Sequence, residues 1–199
     1  FSIFFLLLCF LFIINGANLI DGFNGLLAIQ ALIINTVLLF LNLENNNEQL
    51  AIMIAAQIVI LVSFLLFNFP KATIFLGDSG SYLFGSLIAL NIIQTNNLNP
   101  GISSFFFCIL LFYLFFEVFF SFFRKLILRR SPLKPDRQHL HMLSYLYLEK
   151  SKKFKDCNYL NSLIINSIYL TLIIPALFFD DNGLICKYWF FSLLVLYTL

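Results

Sequence analysis

Charge is scarce in this sequence: Asp, Glu, Lys and Arg make up 11% of its 199 residues, against about 25% in an average soluble domain. A soluble globule with so few charges could not wet its surface, and a disordered chain would not be 61% hydrophobic. Histidine is nearly absent, with two residues. The four cysteines, Cys9, Cys108, Cys157 and Cys186, form no C-x-x-C pair, so neither a zinc site nor a disulfide framework is indicated. Eight glycines exclude a collagen-like repeat. The excess lies on the apolar side, with 27 phenylalanines and a mean hydropathy of +0.93. The composition is that of an integral membrane protein.

Crossing a hydrocarbon core of about 30 Å takes about 20 mostly apolar residues. Seven segments qualify as candidates, at 1–20, 26–43, 50–69, 82–94, 101–123, 159–179 and 184–199. All are expected as helices, since open sheets leave backbone groups unsatisfied in lipid. The expected fold is therefore all-α, a polytopic transmembrane helix bundle of about seven helices. The chain begins at Phe1 and ends in an apolar run, and it reads as the C-terminal part of a single transmembrane domain spanning 1–199.

Ten of the twelve Lys and Arg residues fall between Arg124 and Lys155, a block that the positive-inside rule assigns to the cytoplasm. Counting back through the segments then puts loops 15–25, 68–81 and 124–158 on the cytoplasmic face. The opposite loops, ENNNEQ, NNLNPG and DDNG, contain no Lys or Arg. Every unusual polar stretch thus collects on one face.

The first of these stretches is Asn15-Gly-Ala-Asn18-Leu-Ile-Asp21-Gly22-Phe-Asn24-Gly25, whose Asn15, Asn18 and Asp21 stand at i, i+3 and i+6 and would share one side of a helix. A capped helix end with an Asp-Gly turn is the plainer alternative. The second, Phe75-Leu-Gly77-Asp78-Ser79-Gly80-Ser81, precedes an apolar run; it is either an ordinary N-cap or a helix start that gathers backbone N–H groups toward an anion. The third, Ser131-Pro-Leu-Lys134-Pro-Asp136-Arg137-Gln-His139-Leu-His141, holds both histidines; Arg with His suits a diphosphate, although a positive-inside loop accounts for its lysines. Glu117 lies inside the fifth segment, and an intramembrane carboxylate is a functional candidate by default. Acidic, amide and Arg/His groups on one membrane face suit a magnesium-bound diphosphate beside a lipid.

NGANLIDGFNGL, FLGDSGS and SPLKPDRQHLH, in this order on alternate loops, resemble the polyprenyl-phosphate N-acetylhexosamine-1-phosphate transferase family (glycosyltransferase family 4). The third motif is more similar to the bacterial undecaprenyl-phosphate enzymes that start O-antigen and related lipopolysaccharide or cell-wall glycans than to the peptidoglycan translocase branch. The resemblance implies transfer of a sugar-1-phosphate, GlcNAc-1-phosphate first, from a UDP-N-acetylhexosamine to undecaprenyl phosphate, with release of UMP. It implies Mg2+ as cofactor and a multi-pass protein of the bacterial inner membrane with a cytoplasmic site. Membrane lipid is an expected partner and nucleic acid is not, and a homodimer is compatible with the resemblance.

By the same resemblance, Asp78 and Asn18 would hold the magnesium, and Asp21, Asp78, His139 and His141 would form the catalytic set. Asn15, Asn18, Asp136, Arg137 and Glu117 would bind substrate. Asn24 stands where some relatives carry Asp, and Met142 where many carry another His; the family's paired-aspartate motif has no counterpart before Asn15. A translocase of peptidoglycan synthesis is the same-class alternative. A transporter is the other, and it would need polar residues at mid-membrane depth on several helices, whereas asparagines such as Asn35 and Asn166 read as scattered singly.

Overall fold

The structure is a computed structural model that describes residues 2–129, 131 and 138–198. Its described residues form helices α1 (Ser2–Ile20), α2 (Leu26–Glu44), α3 (Glu48–Asn68), α4 (Gly77–Leu98), α5 (Ser104–Leu110), α6 (Phe112–Ile127), α7 (Leu140–Ser151), α8 (Cys157–Ile173) with a closing 3-10 turn (Ile174–Phe178), and α9 (Gly183–Thr198). No strand is present among them. All seven expected segments are helical. The count rises to nine because the fifth segment is broken in two and because α7 stands inside the basic loop.

Among the described residues, α2, α3 and the run Cys157–Phe178 are each long and apolar enough to cross a membrane, and α5 with α6 passes as a pair bent by 74°. The protein is a membrane protein. The fourth segment, short by hydropathy, extends backward through Ser81 and Gly80, an extension the sequence allows, so that α4 runs for 22 residues. Its polar ends, Gly-Asp-Ser-Gly-Ser and Gln-Thr-Asn-Asn, hide its length from an apolar count.

The bend between α5 and α6 frees carbonyls that a continuous helix would satisfy. Tyr169 of α8 supplies a partner, its hydroxyl donating to the Leu110 carbonyl at 2.6 Å. Beside the bend, Gly16 of α1 lies so close to the Leu114 backbone of α6 that a Cβ there would run into the Leu114 carbonyl. A neighbouring contact sets Ala17 against Gly85 of α4. Small residues at these crossings let the backbones approach.

Hydrogen bonds between loops sort the helix ends into two groups. At one end Ser103 N–H donates to the Asp180 carbonyl at 2.7 Å, and the Asn47 amide donates to Asn99 Oδ1 at 3.1 Å. At the other, Asn24 N–H donates to Asn158 Oδ1 at 2.7 Å and the Asn24 side chain donates to the Pro70 carbonyl at 2.9 Å. Loops 15–25 and 68–81 and the start of α8 therefore share an end, opposite the acidic and amide-rich loops.

The bundle interior is also more polar than isolated asparagines suggest. Asn91 donates to Gln57 Oε1 at 2.8 Å and to Asn35 Oδ1 at 3.3 Å, and Asn35 donates to Gln57 at 3.4 Å. Asn35 is thus one corner of a buried amide triad joining α2, α3 and α4, not a lone residue. Asn166 ties α8 to α2 through the Leu26 carbonyl at 3.2 Å. The triad's amides bond one another, as buried polar groups require.

Candidate functional site

Helix α1 carries Asn15 and Asn18 to the end of the bundle and stops at Ile20. Asp21 follows in a turn closed by its own N–H donating to the Asn18 carbonyl at 3.3 Å. The expected three-residue stripe is therefore two residues on the helix plus one in the turn. Across from it, α4 begins at Gly77, whose φ of +63° lies in the left-handed region that favours glycine. Asp78 sits in the first turn of α4, and no side chain caps that helix. Instead its Oδ1 accepts from Asn18 Nδ2 at 2.9 Å, while Asn18 also donates to Ser81 Oγ at 3.0 Å. The N-cap alternative for Asp78 fails on this geometry, and two motifs 60 residues apart meet through one amide.

Asp21 lies beside the same helix start. Burial pushes its carboxyl up to about 7; the Gly77 backbone N–H pulls the other way, and the Asp78 charge adds to the rise. Two carboxylates crowded at one helix N-terminus form an anionic site that a cation or a bound proton would relieve.

The second half of the site hangs on Glu117, which α6 buries at 1% exposure. His139 Nδ1 stands 2.9 Å from Oε2, and His141 Nδ1 stands 3.4 Å from Oε1. The Leu140 N–H donates to Oε1 at 3.1 Å, and the Tyr113 hydroxyl lies 3.4 Å from His141 Nδ1. Both imidazoles are buried, and their rings stack with centroids 5.4 Å apart. A buried carboxylate is tolerated only when it is paired and hydrogen-bonded, and here a backbone donor and two ring nitrogens converge on it. With Nδ1 turned to Glu117, Nε2 is the ring nitrogen left to face a ligand.

A cleft of about 370 Å³ joins the halves, lined by Asn15, Asn18, Ser121, Lys125, His139 and His141 among others. Asn15, Asn18, Asp78, Glu117, His139 and His141 thus gather at one end, with Asp21 beside Asp78. Asp136 and Arg137 lie outside the described residues. Among the described residues no three His, Cys, Asp or Glu side chains converge as a metal cage; the adjacent pair Asp21 and Asp78, with the Asn18 amide, is the set able to hold a hard cation that takes its other ligands from phosphate and water.

Ser121 and Lys125 are cleft residues that the motifs alone do not single out. Both follow Glu117 on one face of α6, at i+4 and i+8, and that spacing is the signal that marks them. Asn24, a departure within the first motif, has a structural use: its side chain is given to the loop at Pro70.

Fold and site together define a membrane helix bundle with an amide and imidazole cleft at one end, whose lining Asn18, His139 and His141 bond to carboxylates. Residues 1–96, which carry the first two motifs, match the family described as Glycosyl transferase family 4. The chain is 29% identical, over 191 residues, to an undecaprenyl-phosphate alpha-N-acetylglucosaminyl 1-phosphate transferase of Thermotoga maritima, covering 96% of this chain and 54% of that protein. It is 45% identical over 76 residues to a phospho-N-acetylmuramoyl-pentapeptide-transferase of Leuconostoc mesenteroides, covering 38% and 24%. It is also 28% identical over 132 residues to a probable undecaprenyl-phosphate N-acetylglucosaminyl 1-phosphate transferase of Bacillus subtilis, covering 65% and 36%. The first 96 residues of the chain are thus similar to glycosyl transferase family 4. The chain spans about half the length of the Thermotoga relative and smaller shares of the others.

Proposed function

We propose that this chain carries the phosphosugar-transfer site of a membrane enzyme that moves N-acetylhexosamine-1-phosphate, GlcNAc-1-phosphate first, from a UDP-sugar to undecaprenyl phosphate. UMP is released and a lipid-linked cell-surface glycan is begun. The observation that carries this reading is one cleft at the end of a membrane bundle lined by Asn18, which bonds Asp78, and by His139 and His141, which Glu117 holds from behind.

An oxygen of the lipid phosphate attacks the β-phosphorus of the UDP-sugar. The bond from that phosphorus to the bridging oxygen breaks, and UMP leaves with the electron pair. A phosphate monoester is largely dianionic at pH 7, its second pKa being about 6, so the acceptor needs little help from a base. Asp21 then orients the acceptor, and Asn18 fixes the Asp78 carboxylate. Glu117 holds the two imidazoles with Nε2 toward the donor diphosphate, and Asn15, Lys125 and Arg137 complete its binding.

Asp78 and Asn18, with Asp21 adjacent, are the residues that would hold Mg2+; Asp21, raised to about 7 mainly by burial and further by the Asp78 charge, fits a site that a divalent cation would relieve. When bound, the ion neutralises charge on the phosphate oxygens. The membrane is the bacterial inner membrane, with the site on the cytoplasmic side. The clustered basic residues at the site end, and loops without Lys or Arg at the other, support that orientation.

The 45% identity to the Leuconostoc protein supports a second donor, a UDP-muramoyl-pentapeptide. The test is UMP release by the intact gene product in detergent, with undecaprenyl phosphate, Mg2+ and a panel of both donor types, beside Asp78→Ala. Release that needs lipid, Mg2+ and Asp78 is expected, and the panel names the donor. Absence of release from every donor by folded protein overturns the reading.

A further inference from the structure

Helix α7 has two faces, and the bundle accounts for one of them. His141 reaches Glu117, Ser144 Oγ–H donates to Asn161 Oδ1 at 2.6 Å, and the Tyr145 ring meets Phe23 at 5.2 Å between centroids. On the opposite face Leu140, Leu143, Leu146 and Tyr147 are 44%, 50%, 43% and 77% exposed. Their spacing of three and four residues makes one apolar stripe. It runs into Lys150, Lys152, Lys153 and Lys155, all exposed, with Phe154 half-exposed among them.

The level of this helix narrows what covers the stripe. The Asn161 amide donates to the His141 carbonyl at 2.8 Å, and Asn161 is the fifth residue of α8, which opens a membrane-crossing run. The first half of α7 therefore lies level with the first turns of a spanning helix, where headgroups give way to acyl chains. An apolar stripe bordered by lysines at that level is the pattern of an interfacial helix.

We propose that α7 and the lysine run after it form an interfacial anchor for anionic phospholipid. Leu140, Leu143, Leu146 and Tyr147 enter the headgroup–acyl boundary, and Lys150, Lys152, Lys153 and Lys155 hold acidic headgroups. The anchor also fixes His139 and His141, which open the helix, at a set depth beneath the membrane surface.

The test uses the intact gene product in nanodiscs of phosphatidylcholine, with or without phosphatidylglycerol. Tyr147→Trp adds a fluorophore that is read as the difference from its parent. Lipid brominated near the headgroup should quench that difference emission more strongly than lipid brominated at the chain end. Association of phosphatidylglycerol, read by native mass spectrometry, should fall at least about tenfold when the four lysines are changed to Gln. Absence of bromolipid quenching overturns the proposal. So does equal retention of phosphatidylglycerol by the Lys→Gln variant, or quenching that disappears as protein self-associates.

Discussion

Removing the charge of Glu117 and removing its side chain should have different consequences, and the geometry around it sets their size. The carboxylate faces the Leu140 N–H, His139 Nδ1 and His141 Nδ1, all in a buried setting. Glu117→Ala leaves these groups without an acceptor and opens a gap, a loss of about 3–5 kcal/mol by comparison with other broken buried pairs. Glu117→Gln keeps the shape and one oxygen, so the Leu140 N–H and one imidazole stay satisfied. Its NH2 group then meets the other imidazole, whose Nδ1 must become an acceptor and whose proton must move to Nε2. The stability cost falls to about 1–3 kcal/mol, while one imidazole presents the wrong tautomer to the cleft. The assays are thermal unfolding in detergent and UMP release. The expected order is wild type, then Glu117→Gln, then Glu117→Ala for stability, with both variants strongly impaired in activity. Equal stability of all three proteins would refute the idea that Glu117 holds the histidines.

Three further outcomes are expected. In metal-free buffer Asp21, held up at about 7 rather than 3.8, binds its proton more tightly folded than unfolded, so its share of stability is present below pH 4 and is lost as pH rises through 7. Asp21→Asn cannot ionise; it should match the parent at the acid end and exceed it above pH 7 by about 1–2 kcal/mol after screening by water, and a constant difference across pH-dependent unfolding curves would contradict this. Gly16→Ala drives a Cβ into the Leu114 carbonyl and should cost about 1–3 kcal/mol by forcing α1 from α6, with loss of activity because those helices carry Asn18 and Glu117; an unchanged melting temperature would refute it. Tyr169→Phe strips the Leu110 carbonyl at the bend of its donor and should lower stability by about 1–3 kcal/mol, which thermal unfolding reads directly.

Long apolar runs make α2, α3 and α8 legible in the amino-acid sequence alone, because lipid leaves a helix no competitor. The bend at Leu111 is another matter. Nothing in FCILLFYLFF is a helix breaker, and the contacts beside the bend come from Gly16 and Tyr169, which are remote in sequence. Helix α7 is hidden for a related reason: LHMLSYLYLEK is too short and too close to the lysines for a hydropathy window, and its inner face is set by Glu117 and Asn161. Asn18 and Asp78 are legible as members of separate motifs, but their hydrogen bond needs α1 and α4 side by side. Glu117 stands out as an intramembrane carboxylate, yet its histidine partners follow more than twenty residues later. The amide triad of Asn35, Gln57 and Asn91 is invisible residue by residue, since each polar group alone reads as an isolated cost.

Which phosphorus moves tests the account most directly. With UDP-N-acetylglucosamine labelled with 32P at the β-phosphate, undecaprenyl phosphate and Mg2+, the intact protein should carry the label into the lipid phase while unlabelled UMP appears in water. Asp78→Ala should abolish both. Label that stays in water with UDP, or that crosses the membrane still attached to intact UDP-sugar, would contradict a phosphosugar-transfer site at this cleft.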